Sequence, residues 1–245
     1  MTSRRWHRPS WFALALTVFG VAAFTALGLW QLDRAGQKER LLAAFRAAPQ
    51  TAPVDFGSVR DTADSQHYPH VRIAGHFLAD RGYLLDEQVQ DGRLGVHAIG
   101  VFAGDGQDQL LLVDRGWVAW MHAAGTLPEL PLLPTGDIVL TGMYALFPGG
   151  GIRIGGNALP AQTAWPKLTL YLDQVPLAAD LGKPLLPRML LLDPAPDSGF
   201  VRAWTPNVMP PPRHRAYAVQ WFAFAIVALA IFVGQHWRKV DNATK

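Results

Sequence analysis

The chain has 245 residues, of which 50% are hydrophobic and only 17% are charged, and its formal net charge is +3. A soluble domain usually carries about a quarter charged residues, so this composition favours a membrane protein and excludes a chain that is disordered throughout. Cysteine is absent, which excludes disulfide scaffolds, iron–sulfur clusters, thiolate zinc sites and cysteine nucleophiles.

The positive charge lies in the two tails of the chain. From Asp33 to Arg215 there are 16 basic and 18 acidic residues, whereas the tails outside these limits hold six basic residues and one acidic residue. A nucleic-acid interface needs Lys and Arg clustered on a folded domain. The sequence therefore predicts no nucleic-acid partner.

The first apolar stretch, residues 11–31, is predicted to be a transmembrane helix that follows a cytoplasmic tail of residues 1–10. Trp11–Trp30 contains no charged residue and is 20 residues long, which as a helix spans about 30 Å, the thickness of the hydrocarbon core of a bilayer. The alternative is a cleaved signal peptide, with small residues for a peptidase at Val21–Ala23. Because the apolar run continues for seven residues beyond Ala23, the sequence favours a retained anchor.

Residues 32–212 are predicted to form an exported domain. A helix is expected over Gln37–Ala48 and a second, short one over Asp173–Leu181. The other regular structure is predicted as short strands, with a hairpin turn at Asp91-Gly92. The predicted fold class is a membrane protein of the α+β class, in which two transmembrane helices enclose a mainly antiparallel β domain that could close into a barrel. The expected strands are Val71–Phe77, Tyr83–Val89, Leu94–Phe102, Leu110–Val118, Ile138–Phe147, Leu168–Leu172 and Met189–Leu192.

Residues 213–236 are predicted to be the second transmembrane helix with its entry at the outer interface, and residues 237–245 a second cytoplasmic tail. Ala216–Gln235 contains no charged residue. Two spans place both tails on one side of the membrane. The basic N-terminal tail favours the cytoplasm for that side, although Arg34 and Arg215 leave little charge difference across the membrane.

Signatures of common hydrolases and nucleotide-binding enzymes do not occur in the sequence. Gly149–Gly156 is rich in glycine but has neither the dinucleotide-binding nor the phosphate-loop spacing, so it is interpreted as a loop. The chain is predicted not to be an enzyme.

The histidines of the exported domain are candidate metal ligands. His67 and His70, followed by His76, could supply nitrogen ligands, which leaves a metal-dependent hydrolase as a distant alternative. Because no thiol or carboxylate completes the set, structural roles are expected for them, as for the isolated His97 and His122.

His214 has a different setting, directly before the second span and between Arg213 and Arg215. On a helix its face is shared with Tyr217 or Ala218 and with Trp221. An imidazole beside aromatic rings and guanidinium groups suits a haem, whose iron binds imidazole and whose propionates pair with Arg. On spacing alone, a cluster that merely anchors the helix at the interface is the simpler explanation.

Three motifs in order resemble the surfeit locus protein 1 family, the Shy-type assembly factors of cytochrome c oxidase. They are Leu27–Arg34 before Lys38, Val113–Val118 around an Arg-Gly-Trp sequence, and His214–Phe222. The sequence departs from the family pattern at Asp114, Ala119 and Arg215. The residues that carry the resemblance are Gly28, Trp30, Gln31, Arg34, Arg115, Gly116, Trp117, His214, Tyr217, Gln220 and Trp221.

The resemblance implies a bacterial inner-membrane factor that binds haem a transiently and assists its insertion into the catalytic subunit of a haem–copper oxidase. Its implied partners are that subunit, the lipid bilayer and, as a further candidate, haem a synthase. The alternative is a membrane-anchored chaperone that stabilises the oxidase subunit without stable haem binding. For Arg115-Gly116-Trp117 we expect a structural role rather than a contact surface. The implied axial ligand is His214, and the implied cofactor-binding residues around it are Arg213, Arg215, Tyr217, Trp221, Trp30 and Arg34.

Overall fold

The computed structural model describes residues 3–61, 67–121, 126–148, 159–206 and 208–240. They belong to two compact units, one formed by residues 1–41 and 208–245 and the other by residues 42–207. In chain order the elements are β1 (Ser3–Trp6), α1 (Trp11–Ala47), β2 (Val54–Asp55), β3 (His70–Gln90), β4 (Arg93–Gly104), β5 (Leu110–Ala119), β6 (Ile138–Leu146), β7 (Lys167–Thr169), α2 (Gln174–Leu181), β8 (Leu185–Leu192), α3 (Pro211–His236) and β9 (Trp237–Val240).

The first unit contains two helices that are long and apolar enough to cross a membrane, α3 and the N-terminal part of α1. The predicted helices over residues 11–31 and Gln37–Ala48 are one continuous helix, since no proline interrupts the chain before Pro49. α3 begins with Pro211 and Pro212, whose missing N–H groups cost nothing in a first turn. In the most apolar 18-residue stretches of α1 and α3, only 6% and 11% of the residues are buried. This low burial fits lipid-facing helices better than the core helices of a soluble protein. The prediction of two membrane helices flanking a β domain is confirmed.

The two tails lie together at one end of this helix pair. β1 pairs antiparallel with β9, with Ser3 opposite Val240 and Trp6 opposite Trp237. The Trp6 ring also packs edge-on against Phe232 of α3, with 6.4 Å between the ring centroids. The structure thus agrees with a chain that crosses the membrane twice and returns to the side on which it began.

The second unit is built on a seven-stranded mixed sheet. Antiparallel pairing joins β3 to β4, β4 to β5, β6 to β8 and β3 to β6, whereas β5 and β8 are parallel. The short strands β2 and β7 both pair parallel with β3. The prediction of a mainly antiparallel domain is confirmed, and the parallel pairs are an addition to it. Pairing runs in a circuit from β3 through β4, β5, β8 and β6 back to β3, but a barrel as such stays a prediction.

The hairpin between β3 and β4 has the turn that its sequence predicts. Asp91 and Gly92 both have positive φ, 50° and 74°, and lie between the paired residues Gln90 and Arg93. Two central residues of this conformation form a type I′ turn, which matches the twist of the flanking strands. Two of the predicted strands, Val71–Phe77 and Tyr83–Val89, are parts of the single long strand β3, whose register with β4 shifts between Phe77 and Gly82.

Both faces of the central strands are buried, which explains their continuous apolar sequences. In β5, Leu111 and Val113 belong to one buried cluster, and Leu110 and Leu112 belong to another. Because side chains alternate across a strand, a run without polar residues supplies two cores at once. The first cluster includes Phe56, Ile73, Phe102 and Tyr144, and the second includes Tyr83, Ile99, Leu177 and Met189.

Candidate functional site

The two membrane helices contact each other along a face of small residues and aromatic rings. On α1 this face is formed by Phe24, Gly28, Gln31 and Ala35, which recur at the spacing of one side of a helix. Phe24 stacks on Trp221 of α3, with 5.9 Å between the ring centroids. A Cβ added at Gly28 would lie 2.5 Å from the ring of Phe222, so the absence of a side chain there lets the aromatic ring approach the backbone.

His214 lies in this helix contact and is 7% exposed. Its Nδ1 is 2.8 Å from Oε1 of Gln31, a residue 183 positions away in the sequence. Since Oε1 can only accept, Nδ1 donates the hydrogen bond, and in the neutral imidazole the lone pair is then on Nε2. This is the form in which histidine binds a metal, with the second nitrogen donating to a neighbour that fixes the ring.

The Nε2 atom of His214 is fully buried without a hydrogen-bond partner, and among the described residues it is the sole buried side-chain nitrogen or oxygen of this kind. Leaving a buried polar atom unsatisfied costs about 1–3 kcal/mol. Such exceptions in a folded protein often mark a functional atom or a missing ligand. A buried imidazole nitrogen without a hydrogen-bond partner is a donor that the iron of a haem can use.

The other residues predicted to bind the cofactor are placed less uniformly. Trp221 is half-buried on the helix contact, whereas Tyr217 and Trp30 are 42% and 52% exposed and lie off it. Arg34 donates from Nη1 to Oε1 of Gln37, on its own helix, at 2.8 Å. His214 and Trp221 thus both lie on the face of α3 that contacts α1. Trp30, Tyr217 and the exposed motif residue Gln220 lie outside this contact.

The two arginines beside His214 are exposed, and one of them is paired. Arg215 forms an ion pair with Glu39 of α1, while the side chain of Arg213 is exposed. The role of Gln31 as the partner of His214, and that of Glu39, were not predicted. The available signal was that Gln31 is an uncharged polar residue at the end of an apolar span.

In the β domain, the Arg115-Gly116-Trp117 motif lies on β5. Arg115 is 8% exposed, and its Nη2 donates to the carbonyl oxygens of Pro131 at 2.6 Å and Leu132 at 2.9 Å. Its guanidinium carbon lies 4.8 Å from the centre of the Phe200 ring. Burial and the charge of Arg202 lower the pKa of Arg115 to about 10.

The other two motif residues bind β5 to the segment that leads to the second membrane helix. Gly116 has a φ of 131°, and an added Cβ would lie 2.5 Å from Cβ of Phe200. The backbone N–H of Trp117 donates to the carbonyl of Val201, and Nε1 of its ring donates to the carbonyl of Gln88 at 3.0 Å. These contacts join neighbouring segments of the β domain, and the structural role expected for the motif stays a prediction.

A buried pair of His97 and Asp114 was missed by the sequence interpretation. Nδ1 of His97 lies 3.0 Å from Oδ2 of Asp114 on the neighbouring strand, and the His97 ring packs against Trp204. Burial raises the pKa of Asp114, although His97, the Gly116 N–H and Arg202 counteract it. His97 is therefore held within a polar cluster, although nothing in the local sequence links it to Asp114.

Among the earlier candidate metal ligands, His70 is engaged at both ring nitrogens. Nδ1 lies 2.6 Å from the carbonyl oxygen of Thr51, and Nε2 lies 2.9 Å from Oδ2 of Asp193. Burial alone would lower the pKa of His70, but the hydrogen bonds and charge of Asp193, with the Thr51 carbonyl, outweigh burial and raise it. Nδ1 of His76 lies 3.6 Å from Oδ1 of Asp137. Of the residues expected to form loops or structural sites, His122 and Gly149–Gly156 lie outside the described residues.

The comparison with known families covers both the helix contact and the β domain. The model of the SURF1 family matches residues 18–226. The chain belongs to the SURF1 family. The matched range includes His214, Gln31 and the Arg115-Gly116-Trp117 motif, so the resemblance seen in the sequence is confirmed.

Individual relatives match over different lengths. A SURF1-like protein of Monosiga brevicollis is 25% identical over 84% of this chain and 81% of its own length. A SURF1-like protein of Rickettsia bellii is 31% identical over 37% of each chain. The "Cytochrome oxidase assembly protein SHY1" of Saccharomyces cerevisiae is 26% identical over 38% of this chain, and the match spans about a quarter, 24%, of the yeast protein.

Proposed function

We propose that this chain is an assembly factor for cytochrome oxidase, which binds haem a at His214 and assists its insertion into the catalytic subunit. The role in assembly is supported by membership of the SURF1 family and by the name of the yeast relative. The observation that carries the haem proposal is the imidazole of His214, with Nδ1 on Gln31 and an unpartnered Nε2.

Gln31 holds the imidazole of His214 in the tautomer that a metal requires. When bound, haem a supplies an iron that accepts an imidazole nitrogen and an apolar ring that prefers lipid to water. The exposed apolar side chains of both helices suit a lipid environment, which is where an apolar cofactor would be held. Because Nε2 is buried, neighbouring side chains have to move before a ligand reaches it. That requirement suits a protein that holds its cofactor briefly and releases it.

The proposed activity consists of binding and release, without catalysis. Its partners are the catalytic subunit of the oxidase and, upstream, the haem a synthase that forms the cofactor. The proposed location is a bacterial inner membrane, with both tails in the cytoplasm and the β domain on the outer side. The basic tails and the pairing of β1 with β9 support this orientation.

A second candidate is a chaperone that stabilises the oxidase subunit without stable haem binding. Two observations favour it. Nε2 of His214 is closed off by the helix contact, and Arg215 and Arg34, expected to pair with haem propionates, are bonded to Glu39 and Gln37. The two candidates differ in whether the purified protein carries haem.

The test is to purify the full chain, and its His214→Ala variant, from cells in which haem a synthesis is active. We expect haem a in the wild-type preparation and its loss in the variant, measured by the visible spectrum and by pyridine haemochrome analysis. His236→Ala is the matched control, because His236 lies at the other end of α3 and its Nδ1 contacts the carbonyl of Phe232. An unchanged haem a spectrum in His214→Ala would refute the ligand assignment, and a colourless wild type would favour the chaperone.

A further inference from the structure

Arg115 is a buried cation that has no carboxylate partner among the residues that the structure describes. Among the described residues its hydrogen bonds run from Nη2 to two backbone carbonyls, and no Asp or Glu of these residues forms an ion pair with it. Buried charges in proteins are usually paired, because removing an ion from water costs several kcal/mol. The charge of Arg202 acts in the same unfavourable direction as burial.

Arg115 and Arg202 line one cavity of about 420 Å³ in the β domain. We call it the Arg115 cavity and define it by Phe77, Arg115, Leu132, Leu140, Phe200 and Arg202. Its walls are largely apolar, and Leu132, on the irregular segment that Arg115 binds, is 92% exposed at its edge.

The charge of the cavity wall is positive. Asp193 also lines it, but its Oδ2 is bonded to His70. The charges of Asp193 and Asp114 act on Arg202, whereas no described carboxylate forms an ion pair with Arg115. Arg202 donates from Nε to the Arg115 carbonyl and from Nη1 to the Asp193 carbonyl, both at 2.7 Å. In the described part of the chain, Nε and Nη1 of Arg115 and Nη2 of Arg202 form no hydrogen bond. These donors are available to an acceptor in the cavity.

We propose that the Arg115 cavity binds an organic acid, whose carboxylate lies against Arg115 and Arg202 and whose short apolar chain packs on Phe77, Leu140 and Phe200. One negative charge on the ligand balances Arg115, the guanidinium group with which no described carboxylate forms an ion pair. A neutral apolar ligand would leave Arg115 unpaired, and a cation would be repelled. A charge-assisted hydrogen bond to a carboxylate in a largely apolar cavity is about twice as strong as a neutral one. The site is separate from His214 and independent of haem.

The probes are hexanoate and hexanamide, which have the same chain and differ in charge. Binding to the full chain in detergent micelles is measured by saturation-transfer NMR, with micelles alone as the baseline. We expect hexanoate to bind roughly tenfold more tightly than hexanamide, and added salt to weaken hexanoate alone. Equal binding of acid and amide, or binding of neither, would overturn the proposal.

The matched variants are Arg115→Met and Arg93→Met. Methionine fills a similar volume without charge, and replacing an unbalanced buried charge by an apolar side chain is often tolerated. We expect Arg115→Met to bind hexanoate only as weakly as hexanamide, while Arg93→Met, at an exposed position of β4, behaves as wild type. A folded Arg115→Met with unchanged preference for the acid would refute the site. Should the variant not fold, the comparison of acid and amide in the wild type decides the question by itself.

Discussion

At the scale of single residues, Gln31 determines what the imidazole of His214 can do. Its Oε1 accepts a hydrogen bond from Nδ1–H, so in the neutral imidazole the lone pair lies on Nε2. A histidine without such a partner can rotate and exchange its proton between both nitrogens, and it binds a metal less well. The contact therefore makes Gln31 a positioning residue for the proposed ligand.

Replacing Gln31 by Leu is expected to weaken haem a binding by roughly 10–100-fold, because the second nitrogen of His214 loses its acceptor. The measurement is a haem titration of the purified chain, followed by difference spectra. The control is Gln235→Leu, which removes another glutamine near the opposite end of α3. A Gln31→Leu variant that binds haem with the affinity and spectrum of the wild type would show that Gln31 does not position the ligand.

His70 makes the stability of the β domain depend on pH. Its pKa in the folded protein is raised above the ordinary value of 6.5, so the protonated ring is favoured by folding. The stabilisation is fully present below about pH 6.5 and is lost as the pH rises through the raised pKa of the folded state. We expect the difference in thermal midpoint between wild type and His70→Gln to shrink from about pH 6 to about pH 9. A difference that stays constant, or grows with pH, would contradict this account.

At the scale of elements, the two membrane helices pack through small residues and aromatic rings. Glycine at position 28 admits the ring of Phe222, and Gln31 and Ala35 continue the same face toward His214. In lipid, close packing of this kind replaces the hydrophobic effect as the main source of helix association. The geometry around His214 thus depends on how closely the Phe222 ring packs against Gly28, one helical turn from Gln31.

Gly28→Ala is expected to destabilise the helix pair by about 1–3 kcal/mol, since the new Cβ would overlap the Phe222 ring. Gly20→Ala is the matched control, because a Cβ there meets nothing within 4 Å, and it should be neutral or stabilising by up to about 1 kcal/mol. Thermal unfolding in detergent, followed by helical circular dichroism, compares the two. Adding Phe222→Leu to Gly28→Ala should restore part of the loss. Equal effects of Gly28→Ala and Gly20→Ala would exclude the proposed close contact.

The positions of the strands in the β domain could largely be predicted from the sequence, but the strands with which they pair could not. Short β-prone runs bounded by turn residues located β4, β5, β6 and the Asp91-Gly92 hairpin, because these are local properties. The parallel pairing of β5 with β8 joins strands separated by β6 and β7, so no local signal reports it. The His97–Asp114 pair likewise depends on the register of β4 against β5, where the pairing shifts at Ala98 and Ile99.

At the scale of the whole molecule, two helices are long and apolar enough to cross a membrane, and the tails that flank them pair with each other. Charge counting alone left the orientation nearly balanced, since Arg34 and Arg215 lie on the domain side. The pairing of β1 with β9 supports one side for both tails, and the proposed side is the cytoplasm.

The absence of native cysteine allows a clean test of this orientation. Single cysteines are introduced at Arg8, in the N-terminal tail, and at Asp105, an exposed position of the β domain. In spheroplasts, a membrane-impermeant maleimide is expected to label Asp105→Cys and to label Arg8→Cys only after the membrane is permeabilised. Labelling of Arg8→Cys alone in intact spheroplasts would show the opposite orientation. Labelling of both variants would show that the N-terminal tail and the β domain lie on the same side of the membrane, which would contradict the predicted topology.

The sequence by itself determined the two apolar spans, most strands, the basic tails and the family resemblance, because each depends on residues that are close together in the chain. It also identified His214 as the ligand candidate, but not what holds it. Only the tertiary structure decided that Gln31 meets His214 across 183 positions and that Trp30 and Tyr217 lie off that contact. It also decided that Arg115 borders a cavity and that no carboxylate of the described residues forms an ion pair with it. The physical reason is that packing sets these contacts. Which faces of two helices or two sheet segments meet depends on the fit of many side chains at once, and no local pattern encodes that fit.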